Sequence, residues 1–108
     1  MKYVLNFAHP LTKDQREEIE RQVGAFFEIH QPAQFDMNAS NLREQVQRLV
    51  WPTYNELGGH ENIVAVIPPS LAIAAYWTAL EINAGIPAIW LRRDGDTVPP
   101  RFVVGGIE

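Results

Sequence analysis

Residues 64–77 read VAVIPPSLAIAAYW, an apolar run broken by two prolines and a serine and resumed at once. The run opens at Ile63. IVAVI is short, β-branched and free of polar alternation, as in a strand buried on both faces of a parallel sheet. Proline has no N–H to give to a sheet ladder, so Pro68 and Pro69 end the strand. Ser70 is a capping residue type. It predicts a helix from Leu71 to about Asn83, with Gly85 beyond its end. Strand, rigid turn and helix make half of a βαβ unit.

The flanking sequence repeats that unit. Lys2–Phe7 (KYVLNF) reads as a strand that His9-Pro10 breaks. Thr12 and Gln15 have capping-box spacing, Ile19 and Val23 follow at helical spacing, and Gly24 stops the helix. Ala25–Ile29 (AFFEI) is a second strand. A polar loop through Pro32 and Asp36 leads to a second capping box, Asn41 and Glu44. Leu42, Val46 and Leu49 then form a helical stripe that Pro52 ends or kinks. After Ile63–Ile67 and its helix come a strand at Ile86–Leu91, a turn at Arg92–Asp96 and a last strand at Arg101–Val104. The order β-α-β-α-β-α-β-β predicts one α/β domain over residues 1–108. It has three layers in Rossmann-like form, with helices on both faces of a mostly parallel sheet. The expected strand order is 2-1-3-4 with the last strand at the edge.

Composition narrows the function. Of 108 residues, 46% are hydrophobic and 20% charged, which fits a folded globule. A net charge of −4 argues against a duplex-DNA partner. The chain has no cysteine, hence no disulfide, thiol nucleophile or thiolate zinc site. His9, His30 and His60 are scattered without metal-ligand spacing, so no metal site is expected. No G-x-G-x-x-G follows the first strand, so a dinucleotide cofactor is not expected either. No apolar run reaches membrane-spanning length and the start lacks a signal-peptide pattern, which points to a cytoplasmic protein without a membrane partner.

In open α/β sheets ligands bind beyond the carboxyl ends of the strands, where the chain switches direction. Here that edge is made by Asn6, Phe7, Ala8, His9 and Pro10 and by Pro68, Pro69, Ser70 and Leu71. Asn6 either meets a ligand or bonds its own loop. His9 is the candidate acid/base. Ser70 caps the helix, whose free N–H groups favour an anion. Gln34 and Asp36 follow strand 2 at the same edge, with turn chemistry as the alternative role. Arg92 and Arg93 follow strand 4, and Arg92 is the preferred phosphate ligand because its planar fork donates two parallel bonds. Arg101 is a weaker candidate. In the third helix, LAIAAYWTALEI, only Thr78, Glu81 and the Tyr76 hydroxyl are polar. A helix apolar on nearly all sides needs cover on both, which predicts a homodimer, with a wrap by the loop around Trp51 and Tyr54 as the alternative.

These residues resemble a known family. NFAHPLTKDQREEIE is similar to the opening of small CRISPR-associated Rossmann-like (CARF-like, ring-nuclease-type) proteins of type III systems, which begin with an NFSHPLT-like strand and loop. QFD (Gln34–Asp36), PPSLA (Pro68–Ala72) and GIPAIWLRRDGDTVPPRFVV resemble further segments of that family, in collinear order. Ala8 departs from its usual serine and Ile67 from its usual asparagine. The resemblance implies that the ligand is a cyclic oligoadenylate second messenger, the four-adenylate ring above all, held across a two-fold dimer. It implies either a metal-independent ring nuclease or a sponge that holds the ring intact. In the nuclease, a ribose 2′-hydroxyl attacks phosphorus and leaves a 2′,3′-cyclic phosphate, with His9 and Asn6 as the catalytic pair. Independently of the resemblance, a mononucleotide-binding subunit would fit the same edge.

Overall fold

The computed structural model describes residues 1–82 and 85–108. The elements are β1 (Tyr3–Asn6), α1 (Lys13–Val23), β2 (Phe27–His30), α2 (Leu42–Glu56), a 3₁₀ turn (Gly59–Glu61), β3 (Ile63–Ile67), α3 (Ala72–Ile82), β4 (Ile89–Arg93) and β5 (Phe102–Ile107). The expected α/β alternation is present.

α1 starts as its sequence dictates. Gln15 N donates to Thr12 Oγ1 at 3.2 Å, and Thr12 N donates to Gln15 Oε1 at 3.1 Å, closing the capping box. Gly24 ends the helix at φ +85°, a backbone that a side chain would strain. The second box does not close. Asn41 precedes α2 but makes no side-chain cap bond; its amide contacts Glu44 Oε2 at 3.4 Å instead. Pro52 does not end α2, which runs on to Glu56. A proline inside a helix removes one backbone donor, and packing of the helix on the sheet outweighs that loss.

β1 is the centre of a parallel sheet ordered β2-β1-β3. Its side chains alternate between two cores. Leu5 and Phe7 join Val46 and Val50 of α2 and Ala74 and Ile82 of α3 on one face. Val4 joins Ile19 of α1 on the other. Helices therefore cover both faces. A bulge between β1 and β3 skips Val64 in the register, so Ile63 and Val66 both reach the α2/α3 core.

The continuous 2-1-3-4 sheet is not formed. β4 and β5 make a separate antiparallel pair, tied to β3 by one bridge, Val66 to Ala88. Val66 N donates to Pro87 O at 3.0 Å. Extending that parallel ladder would need an N–H from Pro68 in one direction and from Pro87 in the other, and proline has none. The double proline thus ends strand 3 and also splits the sheet. Strand 4 accordingly begins at Ile89, not Ile86, and takes in Arg92 and Arg93.

α3 also begins later than Ser70 suggests. Ala75 N donates to Leu71 O at 2.9 Å, which puts Leu71 in the cap position. Ser70 lies one residue outside, exposed, too far back for its hydroxyl to serve the first-turn amides. The expected helix end at Asn83 lies outside the described residues. Ala74, Thr78 and Ile82 face the core, and Thr78 Oγ1 donates to Ala74 O at 2.8 Å. On the far side Ile73, Tyr76 and Leu80 are 44%, 57% and 45% exposed.

In the hairpin, the Trp90 ring lies over Gly105 and Gly106, and a Cβ at Gly105 would collide with it. Gly105→Ala should therefore push the ring off its strand, at a cost of about 1–2 kcal/mol. Thermal unfolding should show a fall of roughly 4–12 °C for a chain of this size. An unchanged midpoint would mean that the ring, 45% exposed, swings away without loss.

Candidate functional site

Because β1, β2 and β3 are parallel, their carboxyl ends share one edge. The loops leaving it begin at Phe7, Gln31 and Pro68. The first is held by a buried polar cluster.

Asn6, fully buried, bonds with every polar atom of its side chain. Nδ2 donates to His9 O at 2.7 Å and to Glu28 Oε2 at 2.8 Å, and Oδ1 accepts from Ala8 N at 2.9 Å. The amide expected to seat a ligand instead shapes its own loop. Glu28 is the hub. Besides Asn6, Oε2 accepts from Leu11 N at 3.1 Å, and Oε1 accepts from Arg16 at 3.2 Å. The Arg16 guanidinium also lies over the Phe26 ring at 4.9 Å. His30, the register partner of Asn6, places Nε2 2.6 Å from Ala8 O. Glu28, His30 and Asn6 project to the α1 face by strand alternation.

Around this cluster the expected site residues divide. His9, Gln34 and Ser70 are exposed, and no side-chain hydrogen bond holds any of them among the described residues. Ala8 is half-buried, and both its backbone groups are bonded within the cluster. Phe7 is a core residue, 2% exposed, whose N–H donates to Ile67 O at 2.9 Å. Its side chain is therefore closed to a ligand. Pro69 is buried. Pro68 lines a cavity of about 220 Å³ with Val66, Thr78 and Ile82, beneath α3. Leu71 is 38% exposed. Asp36 takes the turn role: its Oδ1 accepts from Asn38 N at 3.0 Å.

Arg92 does not join this edge group. It lines an open cleft of about 1000 Å³ between α1 and the β4–β5 hairpin, together with Arg21 and Arg101. Arg101 pairs with Asp14 at 3.3 Å, and Arg93 donates to Thr97 O at 3.1 Å. Arg21 hydrogen-bonds Glu18, and with its charge this holds the Glu18 carboxyl below the usual carboxylate range. Any stabilisation from that pair is present at neutral pH and lost as pH falls through the lowered value; an exposed pair contributes little.

Comparison of the chain with protein-family models, with curated proteins and with solved structures finds no match. The site must therefore be read from its own geometry. Among the described residues no three His, Cys, Asp or Glu side chains gather as a metal site. None of the described helices is long and apolar enough to cross a membrane.

Sequence reasoning missed Arg16, Glu28 and His30. The available signal was a carboxylate inside a four-residue strand, FEIH, two residues from a histidine. Two polar residues at that spacing share one face of a strand. Ending the strand at Ile29 hid the pair.

Proposed function

We propose that the protein binds a cyclic oligoadenylate, the four-adenylate ring, across a homodimer of Rossmann-like subunits, and opens it. The observation that supports this best is the pinned β1–α1 loop at the edge shared with the loops after β2 and β3. That edge presents His9, Gln34 and Ser70 exposed and without side-chain hydrogen bonds among the described residues, beside a buried Asn6 whose side-chain polar atoms are all bonded. A loop pinned by such bonds is preorganised, and the exposed donors beside it remain for a ligand. Exposed apolar residues on α3, the helix that follows Pro68-Pro69-Ser70, support a two-fold contact beside that edge.

Opening follows the chemistry of RNA self-cleavage. A ribose 2′-oxygen forms a bond to the adjacent phosphorus, and the bond from phosphorus to the 5′-oxygen breaks. The products are a 2′,3′-cyclic phosphate and a 5′-hydroxyl. The protein's part is alignment and stabilisation of the developing charge.

Sequestration without cleavage is the second reading. It is favoured by the complete bonding of Asn6 and by the absence of an orienting partner for the His9 imidazole among the described residues.

Calorimetric titration with cyclic tetra-adenylate, linear tetra-adenylate and adenosine monophosphate tests the reading. The ring should bind tightest, at one per two chains. Incubation in excess chelator should give linear products ending in 2′,3′-cyclic phosphate. Equal affinity for the monophosphate would make the protein a mononucleotide binder. Tight binding of a ring that stays intact would make it a sponge.

A further inference from the structure

We propose that His30 is the general base of ring opening, an inference that rests on the cleavage reading above. His30 Nε2 lies 2.6 Å from Ala8 O. A backbone carbonyl can only accept, so Nε2 carries the proton and, in the neutral ring, Nδ1 carries the lone pair. Nδ1 has no hydrogen-bond partner among the described residues, and the side chain is half-buried at the carboxyl end of β2. An imidazole anchored through one nitrogen and open at the other is the arrangement that proton transfer requires, because the anchor sets tautomer and ring orientation together.

The anchor is itself held. Ala8 N donates to Asn6 Oδ1 at 2.9 Å, and Asn6 is bonded to Glu28 at 2.8 Å. The carbonyl that orients His30 thus belongs to a loop held at His9, Ala8 and Leu11 by Asn6 and Glu28. His9, the acid/base residue that the sequence suggests, is exposed and has no such anchor among the described residues. In the reaction, Nδ1 takes the 2′-hydroxyl proton as the 2′-oxygen bonds to phosphorus. The 5′-oxygen leaves with the bonding pair and is protonated by water, and the imidazolium returns its proton to solvent.

A structural role, in which His30 only pins the loop, makes a different prediction. Glutamine can donate an N–H to Ala8 O but cannot take up a proton at neutral pH. With cyclic tetra-adenylate as probe, His30→Gln should bind within about threefold of the wild type and cleave roughly 10²–10⁴ times more slowly, the usual contribution of a general base. His30→Ala should lose both. His60→Gln, in the turn before β3 at the opposite end of the sheet, should change neither. Long-range nitrogen–proton NMR of the ligand-free protein should show His30 protonated at Nε2. Cleavage by His30→Gln at near wild-type rate, or protonation at Nδ1, would overturn the assignment. A wild type that binds the ring and leaves it intact removes the base and spares the binding site; a wild type that does not bind the ring removes both.

Discussion

Replacing Glu28 with alanine should lower the unfolding free energy by about 3 kcal/mol and loosen the β1–α1 loop. The carboxylate, 12% exposed, accepts bonds from Asn6 Nδ2, Leu11 N and the Arg16 guanidinium. Truncation leaves an amide N–H and a backbone N–H short of an acceptor, at roughly 1–3 kcal/mol for each truly unsatisfied group. It also removes the partner of Arg16. Breaking a buried pair costs about 3–5 kcal/mol, and Arg16, with a side chain 36% exposed, recovers part of that from water. Urea unfolding measures the total. Hydrogen exchange at the Leu11 amide measures the local part and should accelerate beyond what global unfolding explains. Glu28→Gln keeps one acceptor oxygen and should cost about half as much, since one neutral hydrogen bond contributes roughly 1 kcal/mol. A loss below about 1 kcal/mol for alanine would mean that solvent fills the place of the carboxylate.

The same residue shows where sequence reading reached and where it stopped. Local rules located β1, β3 and α1, because Thr12, Gly24 and Pro68 act through their immediate neighbours. They erred where distance along the chain mattered. Pro87 and Pro68 are ordinary singly; only their juxtaposition across a bridge splits the sheet. Ser70 has the right chemistry for a cap, but the first helical bond closes on Leu71. Asn6 was visible as a polar residue ending an apolar strand. Its partner Glu28 lies 22 residues away, and no periodicity links them. The alternation pattern puts Arg92 just after a strand of the main sheet; with β4 in a separate hairpin, Arg92 lines the cleft beside α1 instead. Chain topology carries residues to an edge, and side-chain bonding then decides which of them remain open to a ligand.

Tyr76→Glu should convert the proposed homodimer to a monomer without unfolding the chain. Ile73, Tyr76 and Leu80 stand at i, i+3 and i+7 on α3, so they form one stripe, and each is more than two-fifths exposed. Trp77 does not belong to it. That ring packs on the α2/α3 core with the Arg43 guanidinium 4.9 Å above its face, and a charge there would damage the fold itself. The two positions therefore separate association from folding. In an isologous contact each substitution counts twice, since the same residue enters from both subunits. Burying an unpaired carboxylate costs several kcal/mol, so two of them should weaken the dimer by a factor of about 10³ or more. Light scattering at micromolar concentration should give twice the 12.3 kDa chain mass for the wild type and the single chain mass for Tyr76→Glu. Circular dichroism and unfolding of the variant's monomer should stay native-like. The ring ligand supplies the second test. If it bridges two subunits, the variant should lose affinity for cyclic tetra-adenylate in step with dimerisation and recover it at high protein concentration, because binding and assembly are then linked. A wild type that is monomeric at all concentrations, or a Tyr76→Glu dimer as tight as the wild type, would move the subunit contact off α3.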